Sequence, residues 1–306
     1  MRKFFRKNKN LFTPAFIISG VILLAIILAV IFAGVIAPYD PEELDVSNKL
    51  QGISAEHLLG TDKVGRDILS RALYGGRTTL ISAFLVVLIS VVIGVPAGLI
   101  CGYYGGRIDG VITNIWNVIL GFPAILLAFI IMGVVGRGIK AGIIAIGIVY
   151  IPMISRLTRS VTMVEKNKTY VEAAKVMGYS DFRILSVHIL PNCVPTLVAE
   201  LTLDLAYAIL ELAGLSFLGL GVQAPQSDWG YMLSDAQQYL TSNPLQALVP
   251  GALIIIVVIS LNLLSNEVMS YIDPKLRKVA SFGKYRRLHD RIGRKSGKDR
   301  SKPAVQ

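Results

Sequence analysis

Residues 78–106 read TTLISAFLVVLISVVIGVPAGLICGYYGG, bounded by Arg77 and Arg107 and holding no Lys, Arg, Asp or Glu. A helix needs about 20 mostly apolar residues to cross a hydrocarbon layer roughly 30 Å thick, where its backbone polar groups must pair internally for want of water. This stretch meets that need with residues to spare. Four further blocks, 15–37, 110–136, 212–227 and 236–266, are equally free of those charges. A surface helix of a soluble protein keeps a charged face, so the pattern implies a chain solvated by lipid. With 17% charged residues, the composition falls well below the roughly 25% of an average soluble domain.

The charge-free blocks and their flanks predict an all-α, polytopic fold of six spans at 13–37, 79–104, 111–134, 139–159, 196–221 and 250–272. The first follows a basic start, Met1-Arg2-Lys3-Phe4-Phe5-Arg6-Lys7. It reads as a retained anchor, because it exceeds a signal-peptide core and runs into Pro38-Tyr39-Asp40-Pro41 without a small-residue cleavage site. In the fourth, Pro152 interrupts a short charge-free stretch, and Arg156 and Arg159 are expected to face water or headgroups, or to snorkel to them.

Lys and Arg counts orient the chain. Five basic residues precede the first span, six lie within 156–195 and twelve follow Ile272. The 38–78 segment has five against seven acidic residues, and 223–249 has none. Both termini and the 160–195 segment are therefore expected on the cytoplasmic side. The short turn holding Arg137 and Lys140 opposes this and is outweighed. The chain then divides into a basic N-terminus (1–12), a membrane domain (13–272) with an outer segment at 38–78 and an inner loop at 160–195, and a basic tail (273–306). The outer segment predicts an amphipathic helix with Asp62 as N-cap and Val64, Ile68, Leu69, Ala72 and Leu73 on one stripe. The inner loop predicts helix that breaks at Pro191 and Pro195. The tail, rich in Lys, Arg, Gly and Ser, is expected to lie near anionic headgroups.

The net charge of +11 does not signal nucleic acid, since the basic residues flank spans rather than interleave with stacking aromatics. Cys101 and Cys193 fit neither a disulfide framework nor a zinc site. No G-x-x-x-x-G-K-[ST] phosphate loop is present, His57, His188 and His289 form no H-E-x-x-H pair, and Gly214-Leu215-Ser216-Phe217-Leu218 lacks the last Gly of a nucleophile elbow. No catalytic residue, metal ligand or cofactor of this chain's own is expected.

The inner loop reads Val171-Glu172-Ala173-Ala174-Lys175-Val176-Met177-Gly178, continuing to His188-Ile189-Leu190-Pro191-Asn192. A helix, a turn permitted by Gly178 and a second short helix would form a knob able to dock in a partner's groove. An Ala-rich connector between spans is the plain alternative for Glu-Ala-Ala alone. Glu172, Ala173, Ala174, Gly178, Leu190 and Pro191 together resemble the EAA loop of ABC-type importer permeases, and His188 resembles the peptide-importer branch in particular. A second stretch, Gly60-Thr61-Asp62-Lys63-Val64-Gly65-Arg66-Asp67, resembles the outer signature of dipeptide, oligopeptide and nickel permeases. Leu215 to Gly221 with Trp229-Gly230, and Ile272-Asp273-Pro274, agree with it. Ser265-Asn266-Glu267-Val268-Met269-Ser270 departs from it, replacing the charges that the family often carries there.

The resemblance implies a permease subunit of an ABC importer in a bacterial inner membrane. It also implies a second, different permease subunit, two cytoplasmic ATPase subunits that bind ATP and magnesium, and an extracytoplasmic solute-binding protein. Peptide is the expected substrate, with nickel, metal chelate or glutathione as alternatives. In the fifth span Glu200, Asp204 and Glu211 lie near one helical face. Carboxylates at membrane depth must face protein or water, so they are candidates for the translocation path or for satisfaction by a neighbouring helix. Read as a proton- or cation-coupling stripe they would suit a secondary transporter or channel, which the docking loop argues against.

Overall fold

The computed structural model describes residues 13–272; the basic N-terminus, the tail and Asp273-Pro274 lie outside them. The described elements are helices α1 (Pro14–Ile31), α2 (Ala33–Ile36), α3 (Ile68–Tyr104), α4 (Gly106–Leu120), α5 (Ala124–Val135), α6 (Ile139–Glu165), α7 (Thr169–Val176), α8 (Asp181–Phe217), α9 (Trp229–Ala236) and α10 (Leu245–Ile272). Five of them, α1, α3, α6, α8 and α10, are long and apolar enough to cross a membrane.

The third expected span, 111–134, is not one straight helix. α4 and α5 meet at 91°. Pro123 supplies no N–H to the turn before it and drives Phe122 out of the helical region, so the 111–134 helix breaks where Gly121-Phe122-Pro123 stand. Two other expectations fail in the opposite direction. The outer amphipathic helix and the second span are one 37-residue helix, α3. Pro191 and Pro195 do not break the chain either: a π-helical turn over Ile184–Ile189 leads into the helix, Pro191 occupies its first turn, and Pro195 is absorbed within it. Proline is well tolerated in a first turn, whose N–H groups lack intrahelical partners.

α6 lies at the centre, with 67% of its span buried against 11% of α1. Its closest partner is α3. Gly94, Gly98 and Gly102, spaced by four, put one bare strip of α3 against α6. A Cβ on Gly98 would stand 2.4 Å from the Ser155 carbonyl oxygen, and one on Gly102 2.6 Å from Thr158's neighbour one turn on, Thr162 Cβ. Lipid supplies no hydrophobic drive between helices, so such close backbone approach supplies the packing. Outward-facing Ile18, Val21, Leu24, Ile255 and Ile259 are exposed in the chain, as lipid-facing residues should be.

α6 continues through Pro152 to Glu165, six residues beyond the expected end. Its two arginines reach neighbours rather than water alone: Arg159 pairs with Asp109 of α4, and Arg156 donates to Asn117.

Candidate functional site

Three constellations named from the sequence fall on three levels of the bundle. At one end, α7 carries Glu172 and Ala173 outward and turns Val171 and Ala174 inward, against Ile184, Ile189 and Cys193. Gly178 then takes φ +77°, with nothing within 4 Å of where a Cβ would stand. Its amide donates to the Lys175 carbonyl, and that of Tyr179 to Ala174, closing α7 through a left-handed residue. Ser180 caps the next helix by accepting from the Arg183 amide. The second short helix expected here is thus the first turn of α8. His188 stacks on Tyr179, ring centroids 5.6 Å apart, and Arg183 covers the same ring at 4.3 Å. Leu190 is half-buried and Pro191 exposed. Val176 (89% exposed), Met177, Phe182 and Val187 stand out as apolar side chains around the turn.

At the opposite end the outer signature folds into a buried ionic knot. Asp62 is not the N-cap of α3. Asp67 is, accepting from the Ser70 amide and hydroxyl, each at 2.8 Å, while its other oxygen meets His57 Nδ1 at 3.1 Å. Asp62 instead accepts from the Val64 and Arg66 amides, from Arg66 Nε at 2.7 Å and from Arg71. Thr61 accepts from the Gln51 amide and donates to the Asn48 carbonyl. Gly60 (φ +79°) and Gly65 (φ +87°) are required: a Cβ on Gly65 would lie 1.6 Å from the Asp45 carbonyl oxygen.

Asp235 of α9 completes the knot, 2.5 Å from Lys63 Nζ and 3.3 Å from both Arg66 and Arg71. The hydrogen bond to Asp235 raises the pKa of Lys63, outweighing the opposing effect of burial. Sequence reasoning missed Asp235 because it stands far along the chain from Asp62 in a segment with no basic residue. α9 is itself pinned: Trp229 is fully buried, its indole donating to the Ala72 carbonyl, and Asp228 accepts from Ser216 and caps Tyr231. That accounts for the run from Leu215 to Gly221 followed by Trp229-Gly230, since Gly230 packs against the Ala213 backbone.

Between the two ends, Asp204 is 3% exposed, and Glu200 and Glu211 are half-buried. Asp204 Oδ2 and Glu211 Oε2 are buried without hydrogen-bond partners among the described residues. Tyr150 of α6, another residue with no local signal, faces Glu211. Among the described residues no group of His, Cys, Asp and Glu has the arrangement of a metal site, and both cysteines are buried and free.

Residues 94–278 match the family described as binding-protein-dependent transport system inner membrane component, and residues 1–52 the N-terminal TM domain of oligopeptide transport permease C. The chain is 41% identical over 272 residues to the dipeptide transport system permease protein DppC of Alkalihalophilus pseudofirmus, covering 89% of this chain and 88% of that one. It is 36% identical over 281 residues to the Haemophilus influenzae protein of the same name, covering 90% and 94%. A glutathione transport system permease protein, GsiD of Pectobacterium atrosepticum, is 38% identical over 260 residues, covering 85% and 86%. Among solved structures, an inward-facing MetNI methionine ABC transporter chain superposes with TM-score 0.52 at 22% identity, covering 69% of this chain and 96% of that one.

Proposed function

The chain belongs to the family of inner membrane components of binding-protein-dependent transport systems, and from that premise we propose that it is the permease subunit through which an ABC importer passes short peptides. As a member of that family it is a membrane permease and not an enzyme; ATP hydrolysis belongs to separate subunits. The observation that carries the docking assignment is the turn at Gly178. Exposed Glu172 and Ala173 share it with Val176, Met177 and Phe182, a compact apolar knob with a charged edge. That combination fits a groove on a soluble subunit.

In this reading the knob faces the cytoplasm and docks one of the importer's two ATPase subunits, which bind the ATP and magnesium. The ionic knot faces outward toward a solute-binding protein. A second, different permease subunit shares the path, and both termini are cytoplasmic. The names of the relatives favour a dipeptide or tripeptide substrate, glutathione being a modified tripeptide. The test is purification of the tagged chain with its ATPase subunits, then uptake by the reconstituted complex of labelled dipeptide in competition with glutathione. ATPase subunits that fail to co-elute overturn the docking assignment. Competition by glutathione but not by dipeptides would move the substrate to the glutathione branch.

A further inference from the structure

Three separate parts of the inner loop converge on one residue outside it. Tyr103, in the last turn of α3, donates its hydroxyl to Asp181 Oδ1 at 2.6 Å. Its carbonyl accepts from Lys166 Nζ at 3.3 Å, and Lys175 Nζ lies 5.3 Å from the centre of its ring. Lys166 precedes α7, Lys175 sits in its last turn, and Asp181 opens α8. The ring also packs on the small apolar cluster built from Val171, Ala174, Ile184 and Ile189. Immediately beyond, Gly105 and Gly106 take φ +67° and +58° and turn the chain away into α4.

We propose that Tyr103 is a positioning residue of the transport cycle, the point at which movement of the loop is handed to α3; this rests on the assignment of the loop as the ATPase-docking element. A knob that touched only its own flanking helices would move α6 and α8. Val95 and Leu99 already bring α3 into the apolar cluster under the loop; Tyr103 adds the polar tie, and α3 packs along α6 and reaches the ionic knot at the far end through Arg71. Interfacial tyrosines commonly serve only as anchors at the headgroup level. An anchor needs no carboxylate acceptor, whereas this hydroxyl is spent on Asp181, and a cation covers the ring. Neutral-to-charged hydrogen bonds of this kind are stronger than ordinary ones, enough to keep two helix ends in register as the loop is pushed.

The test uses the complete reconstituted complex, reading peptide imported per ATP hydrolysed alongside co-purification of the ATPase subunits. Tyr103→Phe removes only the hydroxyl and is expected to lower the import-to-hydrolysis ratio several-fold while the ATPase subunits still co-purify. Tyr104 also faces Asp181, so in a Tyr104→Phe background Asp181→Ala should match Tyr103→Phe, and the double variant there should be no worse than either, because one bond is lost in all three. Asp181→Asn, which keeps an acceptor oxygen, should recover much of the ratio. A wild-type ratio in Tyr103→Phe, additive losses in the double variant, or loss of assembly in place of a changed ratio would each overturn the proposal. If the wild-type chain recruits no ATPase subunits, the docking-loop assignment itself is what fails.

Discussion

Arg159 grips Asp109 with two parallel hydrogen bonds, Nε and Nη2 each 2.6 Å from one carboxylate oxygen. This fork joins α6 to the first turn of α4, just after the chain has reversed at Gly105 and Gly106. The guanidinium is 32% and the carboxylate 16% exposed, so the pair is partly shielded from solvent. Asp109→Ala is expected to destabilise the protein by about 1.5–3 kcal/mol, the range for hydrogen bonds to charged groups, seen as a lower midpoint of thermal unfolding in detergent. Arg159→Lys cannot restore the fork. A midpoint unchanged by Asp109→Ala would mean that lipid headgroups or water replace the carboxylate.

The α3–α6 seam predicts a contrast between two glycines. A Cβ at Gly98 would meet the Ser155 carbonyl oxygen at 2.4 Å and Thr158 Cβ at 2.6 Å, both on a helix that has no room to retreat, whereas Gly110 on α4 has nothing within 4 Å. Gly98→Ala should lose about 1–3 kcal/mol by overpacking. Gly110→Ala should be neutral or gain up to about 1 kcal/mol from a stiffer unfolded chain. Equal thermal shifts for the two would contradict the seam.

Gly178→Val should separate coupling from folding. The left-handed conformation penalises a β-branched residue by roughly 1–2 kcal/mol, yet no neighbour is crowded. Peptide uptake is expected to drop at least several-fold at near-normal membrane abundance. Disappearance of the protein from the membrane would assign the turn a structural role.

Orientation can be read by cysteine labelling, and the buried Cys101 and Cys193 give little background. Asp228 is a poor reporter because it is buried and caps Tyr231; the exposed Gln226 beside it is suitable. Gln226→Cys should react with an impermeant maleimide in intact cells, and Asn167→Cys only after permeabilisation. The reverse pattern would invert the topology.

Asp204 keeps an unpartnered oxygen deep within the bundle, an arrangement that proteins rarely retain without a use. Asp204→Asn has the same shape and no charge. It should lower uptake at subsaturating peptide while the complex still assembles. Full uptake at matched expression would leave only a packing role.

The spans were legible because lipid writes itself into composition: an uncharged run such as 78–106 admits few other readings. The turn at Gly178 was equally legible, since the left-handed region selects for glycine. What escaped were cross-chain partnerships. Nothing near Asp62 announces Asp235, and nothing near Arg159 announces Asp109. Local rules also misjudged continuity. They stopped a helix at Pro191 that a π-turn carries through, and ran one across Gly121-Phe122-Pro123 that the proline breaks. Asp62 was expected to cap the outer helix, and it is the hydrogen bond from the Ser70 amide that shows Asp67 to be the cap.

The unbroken run of α3 over 37 residues amounts to about 55 Å at 1.5 Å per residue, nearly twice the hydrocarbon thickness of roughly 30 Å. Whatever tilt takes up the excess, Pro96 removes one hydrogen bond from the helix, so it is the run from Ile68 to Val95 that moves as a single rod. Spin labels at the exposed Ile81 and Val92, both before Pro96, would therefore report a fixed distance through every stage of import. That pair supplies an internal yardstick against which the displacement of any other helix can be calibrated.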